Sequence, residues 1–277
     1  MGYKILQKKE ICPNQYELTV EASDVVRNAR AGQFIIFRAE ENGERVPLTI
    51  ADINKETNAL TMVFMAVGYS TKKLAQFNVG DEIPDIVGPL GKPTHIKNYG
   101  TVVCVAGGYG AAPCYLIAKA FKEAGNKVYM IMGARNKSLI FWADKMKSAC
   151  SELFITTDDG SMGQKGFVTN KLSEIINNEK VDYTIAVGPM PMMRAVANLT
   201  KEKNIYTEAS MNPIMVDGTG MCGACRITVD GKTKFACVDG PDFDAHKIDF
   251  DEVINRTSIY KDIEKSRDQN CNLLNHK

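Results

Sequence analysis

The chain has 277 residues, 44% hydrophobic and 24% charged, and its 34 Lys and Arg against 33 Asp and Glu leave a net charge of +1. That length holds about two or three domains with cores of their own, and the composition is ordinary for a soluble globular protein. So even a charge balance supports neither nucleic-acid binding nor attraction to a membrane surface, and neither partner is expected.

In chain order, residues 1–10 lack the apolar core of a signal peptide. Residues 1–98 then read as short strands at 3–8, 15–21, 33–39, 47–53 and 59–67, with a short helix near 71–77. Gly32, Asn42-Gly43, Gly68 and Gly80-Asp81 punctuate them. Short strands at even spacing between turn signals predict an antiparallel β-barrel.

The pattern changes at residue 99. Strands at 101–106, 127–132, 152–157, 183–187 and 205–209 alternate with helices at 111–123, 139–148, 167–176 and 191–202. Val168, Leu172, Ile175 and Ile176 share one helix face. Strongly apolar strands alternating with helices predict a parallel, doubly wound sheet. The run from 101 to 118 carries no charge, but Gly107, Gly108, Gly110 and Pro113 interrupt it, so it reads as buried strand, turn and helix start rather than a membrane span. A cytoplasmic location is expected. A Gly-rich loop, a hairpin at 226–229 and 233–236 around Asp230-Gly231, and a charged helical tail from 249 follow. The expected domains are therefore 1–98, 99–210, 211–248 and 249–277.

The chemistry concentrates in the loop. Asp217, Cys222, Cys225 and Cys237 form D-x4-C-x2-C-x11-C. This is the plant-type [2Fe–2S] spacing with Asp in place of the first Cys. Gly218, Gly220 and Gly223 let the backbone wrap closely round a cluster. A structural zinc site with mixed Cys and Asp ligands is the competing reading, though the long first spacing favours iron. Cys12, Cys104, Cys114, Cys150 and Cys271 are scattered singly and read as small buried hydrophobes, Cys271 in its polar tail being the most exposed.

Three strand ends carry glycines suited to a nucleotide. The first strand runs into Gly107-Gly108-Tyr109-Gly110-Ala111-Ala112-Pro113, the second into Gly133-Ala134-Arg135, and the fourth into Gly188-Pro189-Met190. Close packing of the turns alone would also demand such glycines. Asp158 and Asp159 end the third strand, as ribose ligands or as turn caps, and Arg135 leaves NAD against NADP open. In the barrel, Gly68-Tyr69-Ser70-Thr71 suits phosphate contacts, and equally a turn with a helix N-cap.

A barrel, a nucleotide sheet and a terminal [2Fe–2S] loop, in that order, resemble the ferredoxin–NADP reductase superfamily. Within it the chain is similar to the electron-transfer subunits of dihydroorotate and sulfide dehydrogenases over about residues 3–255. The stretches 210–222 and 237–243, Asp217 included, look like the small subunits of NADH-dependent reduced ferredoxin:NADP oxidoreductases. The resemblance implies FAD on Pro47, Leu48, Thr49, Phe64, Met65, Ala66, Gly68, Ser70 and Thr71. It implies NAD(H), with NADP(H) an alternative, on Gly107, Gly108, Gly110, Ala111, Ala112, Pro113, Gly133, Arg135, Asp158, Gly188, Pro189 and Met190. It further implies a [2Fe–2S] cluster on Asp217, Cys222, Cys225 and Cys237. Two departures stand in the flavin motif: Val46 replaces its Arg and Leu48 its Tyr, while Arg45 comes one position early on an alternating strand.

The implied activity is an electron relay between NAD(H), FAD and the cluster, with no side chain acting as acid or base. Its partner would be a larger subunit carrying flavin and iron–sulfur centres, through which ferredoxin is reached, in an electron-bifurcating complex. A sulfide or dihydroorotate dehydrogenase partner is the alternative, the latter disfavoured by Asp217. A non-enzymatic scaffold holding zinc is the alternative from another class. Residues 256–277 read equally as a partner-binding helix or a frayed tail.

Overall fold

The computed structural model describes residues 2–260, 263–264 and 266. The first sheet contains β1 (Tyr3–Cys12), β2 (Gln15–Glu21), β3 (Phe34–Arg38), β4 (Val46–Asn54), β5 (Ala59–Met65), β6 (Glu82–Ile83) and β7 (Asp85–Leu90). Two short helices accompany it, α1 (Ser23–Val26) and α2 (Tyr69–Leu74). Its order is β6-β1-β2-β5-β4-β3-β7, antiparallel throughout, and the two end strands are consecutive in the chain. The sheet thus curls into the expected barrel, nearly closed. Leu60, Met62 and Phe64, alternate residues of β5, are buried on its inner face.

The second sheet comprises β8 (Thr101–Gly107), β9 (Lys127–Ala134), β10 (Glu152–Thr157), β11 (Gln164–Lys165), β12 (Tyr183–Val187) and β13 (Thr207–Ser210). A hairpin, β14 (Arg226–Val229) and β15 (Lys232–Phe235), follows, and β16 (Asp242–Asp244) then returns to the sheet. The sheet order is β11-β10-β9-β8-β12-β13-β16, parallel except for β16. The chain leaves β8 toward β9 and comes back to its other side at β12, so the ends of β8 and β12 form the switch point at which open α/β sheets bind ligands.

Helices α3 (Ala111–Glu123) and α4 (Ala143–Ala149) cover one face, and α5 (Val168–Asn178) and α6 (Met190–Glu202) the other. β8 serves both: Val102, Cys104 and Ala106 join the core under α3 and α4, Val103 and Val105 the core under α5 and α6. The first core continues into the barrel through Ile35, Phe37 and Ile50. The second continues into the last segment through Cys225, Ile227, Cys237, Phe243 and Phe250. Two short helices belong to that segment, α7 (Ala236–Asp239) and α8 (Phe250–Ser258), the latter capped by Asp249 accepting from Glu252 N at 2.9 Å.

The helix expected at 139–148 begins only at Ala143, because Trp142 takes a left-handed conformation (φ 55°) that a helix interior does not accommodate. The strand expected at 3–8 runs on to Cys12, since β2 pairs with it along that length. Strands β6, β11 and β16 and helix α1 are too short to set up a readable period, and β7 is interrupted by Gly88-Pro89. Cys12, Cys104, Cys114 and Cys150 are free and buried, as expected. Cys271 lies outside the described residues, as do most of 261–277. Among the described residues no helix is long and apolar enough to cross a membrane.

Candidate functional site

A cleft of about 460 Å³ opens where the barrel, the switch point and the segment after β13 meet. Phe34, Val46, Pro47, Leu48, Thr49, Val63, Phe64 and Met65 wall it from the barrel. Tyr109, Gly110, Pro113, Val187 and Gly188 wall it from the strand ends, and Ser210, Met211, Asn212, Pro213, Met215 and Pro241 close the third side. Of the expected cofactor residues, Pro47, Leu48, Thr49, Phe64, Met65, Thr71, Gly110, Pro113 and Gly188 share this wall. The stretch from Ser210 to Met215 carries part of the family resemblance but is not among the expected cofactor residues, because it reaches the cleft only through the chain reversal after β13. Tyr109 shows 44% of its surface, and its place between two glycines was its only signal.

The other expected residues lie around the wall or away from it. Ala111, Ala112 and Met190 are buried in the cores, so their side chains face protein. Arg135 and Asp158 are exposed at the ends of β9 and β10, outside the cleft wall. Asp159 rather than Asp158 caps its turn, accepting from Ser161 N at 2.9 Å and Ser161 Oγ at 2.6 Å, and these bonds hold its carboxyl below the usual range.

The glycines divide into two kinds. A Cβ on Gly107 would lie 2.5 Å from Met192 Sδ and 3.0 Å from Pro189 Cδ; on Gly110, 2.5 Å from Val187 O; on Gly133, 2.3 Å from Val168 Cγ1; on Gly188, 3.0 Å from Gly107 N. Close packing of protein against protein requires these four. A Cβ on Gly68 or Gly108 would meet nothing within 4 Å. Those two border open space, as a cradle for a bound group does.

At the start of α2, Thr71 Oγ1 accepts from Val67 N and Gly68 N, each at 3.1 Å, so the hydroxyl closes the turn. Ala66 is buried beside it, and Ser70 Oγ donates to Glu44 Oε2 at 2.9 Å.

The loop after the cleft gathers the four expected ligands as two pairs. Cys225 Sγ and Cys237 Sγ lie 3.2 Å apart, and Asp217 Oδ2 accepts from Cys222 N at 2.7 Å. Main-chain amides point at two of the sulfurs: Cys237 N to Cys225 Sγ at 3.4 Å, and Ala224 N to Cys222 Sγ at 3.5 Å. Hydrogen bonds from Cys222 and Thr219 hold the Asp217 carboxyl well below the usual carboxylate range, while burial and the neighbouring Cys225 raise the Cys237 thiol. Among the described residues no three His, Cys, Asp or Glu side chains surround a single point as one mononuclear ion would require. Thiolate and carboxylate donors on one loop fit an iron–sulfur cluster or a zinc ion by their chemistry.

Arg45 settles its own question. It stands just before β4, and its Nε and Nη2 donate to the carbonyls of Val216 and Asp217 at 3.2 and 3.0 Å. Its guanidinium goes to the cysteine-bearing loop.

Family models match two parts of the chain. The iron–sulfur cluster binding domain of dihydroorotate dehydrogenase B matches residues 212–249. The oxidoreductase NAD-binding domain matches residues 104–198. A Thermotoga maritima homologue of the dihydroorotate dehydrogenase B (NAD(+)) electron-transfer subunit is 45% identical, over 95% of this chain and 93% of that protein. The corresponding electron-transfer subunit of Bacillus pumilus is 34% identical, over 88% and 96%. A chain from the solved structure of an NADH-dependent reduced ferredoxin-NADP oxidoreductase, studied for flavin-based electron bifurcation, is 43% identical with a TM-score of 0.91, over 96% of this chain and 98% of that one.

Proposed function

We propose a function from one premise: this chain belongs to the family of dihydroorotate dehydrogenase B electron-transfer subunits and their homologues. It is an oxidoreductase subunit with an NAD-binding domain and an iron–sulfur cluster binding domain. An electron-transfer subunit implies a catalytic partner subunit. Within that family, the chain is the small subunit of a cytoplasmic, electron-bifurcating NADH-dependent reduced ferredoxin:NADP oxidoreductase. Its likeness to the solved enzyme of that kind supports this over a sulfide or dihydroorotate dehydrogenase. Its partner is a larger subunit bearing flavin and iron–sulfur centres, through which ferredoxin is reached.

When bound, FAD supplies two-electron exchange with NAD(H), NADP(H) being the alternative nucleotide, and a [2Fe–2S] cluster supplies one-electron transfer. The barrel, residues 1–98, holds the flavin. Pro47, Leu48, Thr49, Phe64, Met65 and Ala66 form the wall for its ring, and Gly68, Ser70 and Thr71 the turn for its phosphates. The open space at Gly68 and Gly108 fits such a group. Residues 99–210 hold the nicotinamide nucleotide, with Gly107, Gly108, Gly110, Ala111, Ala112 and Pro113 at one strand end and Gly188, Pro189 and Met190 at the other. Gly133, Arg135 and Asp158 flank them. Residues 211–248 would carry the cluster, on Asp217, Cys222, Cys225 and Cys237, while most of the tail expected over 249–277 lies outside the described residues. The apolar cleft wall would exclude water and position a nicotinamide against a flavin, which is the main catalytic demand on this chain.

One observation carries the relay: Met215 lines the cleft, and Asp217 stands two residues further along the same backbone. The same short segment therefore bounds both redox sites. The test is to purify the chain anaerobically and record its visible spectrum with iron, sulfide and flavin content, before and after adding NADH. Flavin bands and a [2Fe–2S] signature, both bleached by NADH, are expected. A colourless protein holding one zinc overturns the proposal.

A further inference from the structure

Three arginines reach the main chain around the candidate cluster ligands. Arg45 holds the carbonyls of Val216 and Asp217 at 3.2 and 3.0 Å. Arg226 Nη1 donates to Gly223 O at 3.3 Å, and Arg256 Nη2 to Ala224 O at 3.1 Å. The carbonyls so held lie beside Asp217 at one end of the loop and between Cys222 and Cys225 at the other.

Arg45 differs from the other two in where it comes from. It belongs to the barrel, 171 residues from Val216 in sequence, whereas Arg226 and Arg256 sit within the last segment. A second contact closes the same seam: a Cβ on Gly218 (φ +77°) would lie 2.4 Å from Ile36 Cδ1 and 3.0 Å from Leu90 Cδ1. The loop is therefore pressed onto the barrel and pinned there by a two-pronged guanidinium. Beside that pin, Val46 and Phe34 line the cleft.

Two physical consequences follow. A guanidinium fork fixes two carbonyls in one plane, which orients the Asp217 backbone and with it the side chain. Positive charge next to a redox centre stabilises the form with one more electron, and net charge and hydrogen bonding around a cluster are among the determinants of its potential. Arg256 is itself near Glu252, at 3.8 Å, which offsets part of its field.

We propose that Arg45 is a positioning residue for the cluster, clamping the Asp217 backbone to the flavin barrel and raising the cluster's electron affinity through its charge. This rests on the electron-relay reading of the same site. The residue that stands one position early in the flavin motif thus serves the other redox centre.

The test uses the full chain with its cofactors in three forms: wild type, Arg45→Gln and Arg45→Lys. Each is assayed for iron, sulfide and FAD, for the EPR spectrum of the reduced cluster, and by redox titration. In Arg45→Gln, the flavin–cluster equilibrium is expected to move about tenfold away from the reduced cluster, about 59 mV for one electron, with FAD content unchanged. Arg45→Lys keeps the charge and loses the fork, so its titration stays within about twofold of wild type while its EPR line shape changes. Loss of iron from both variants, with FAD retained, also supports the clamp, because both lose the fork. Both variants titrating and resonating as wild type overturns it, and so does loss of FAD together with iron in both, which marks general damage to the barrel. A wild-type chain without iron and sulfide overturns the relay reading itself, a result distinguishable from either.

Discussion

Cys237 Sγ lies 3.2 Å from Cys225 Sγ, although the hairpin of β14 and β15 separates the two residues in sequence. The hairpin returns the chain so that Ala236 N donates to Cys225 O at 3.1 Å, and this bond sets the two cysteines side by side. Asp217 and Cys222 make the second pair within one loop. Replacing either buried cysteine with serine is expected to lower iron and sulfide content roughly tenfold or more, with FAD retained. Asp217→Cys is expected to keep a cluster with an altered visible and EPR spectrum. An unaltered spectrum would show that Asp217 is no ligand.

The two kinds of glycine predict opposite outcomes for the same substitution. Gly68→Ala adds a methyl to open space at a φ of −116° that alanine accepts. Stability should change by less than about 0.5 kcal/mol, while FAD affinity falls roughly tenfold. Gly110→Ala drives its Cβ into Val187 O at 2.5 Å and should cost about 2 kcal/mol. Thermal unfolding together with a flavin-binding titration on each variant checks both arms. A Gly68→Ala protein that binds FAD as tightly as wild type would remove that turn from the flavin site.

Trp142, the sole tryptophan, reports on the seam between barrel and nucleotide sheet. Its Nε1 donates to Glu17 Oε2 on β2 at 2.7 Å. Beside it, Lys145 pairs with Asp52 on β4 at 2.7 Å and lies 3.9 Å from the indole centroid. Glu17→Ala removes a charged acceptor from a partly buried donor and should destabilise the protein by about 1 to 2 kcal/mol. The tryptophan emission should shift to the red as water reaches the indole. Denaturant unfolding followed by fluorescence measures both effects at once.

Asp242 on β16 makes stability depend on pH. Thr94 Oγ1 donates to its Oδ2 at 2.5 Å, and its Oδ1 is sealed from solvent without a partner, although the residue as a whole is partly exposed. Burial, with the nearby Glu208 adding to it, raises the carboxyl to about 6. The unfolded value is near 3.9, so between about pH 4 and 6 the native protein binds more protons here than the unfolded chain does. Asp242 therefore takes away stability as pH rises through that window, reaching about 2 to 3 kcal/mol above it. Asp242→Asn should gain on wild type by that amount from pH 4 to pH 7. A constant difference between the two chemical-denaturation curves across that range would exclude the effect.

Much of the fold was legible because it is written in local periods. The apolar runs of β5, β8 and β12 each report burial that neighbouring residues alone specify. Strands β7 and β16 were not legible, because pairing with distant partners, β3 and β13, rather than their own composition makes them strands. Trp142 shows the same limit in a helix: its indole is held from outside the segment, by Glu17 on β2, and no helix propensity encodes that.

The candidate site divides in the same way. The sequence by itself determined the ligand spacing from Asp217 to Cys237 and the glycines at the strand ends, because a loop round a cluster and a strand-to-helix turn are short-range structures whose residues lie close together in the chain. Only the tertiary structure decided which glycines face empty space and which face protein, that residues 210–215 form the third wall of the cleft, and that Arg45 hydrogen-bonds the cysteine-bearing loop. Each of these depends on where a side chain meets a segment far away in sequence. That distance is fixed by the packing of the barrel against the last segment through Ile36, Leu90 and Gly218, a contact that no local pattern records.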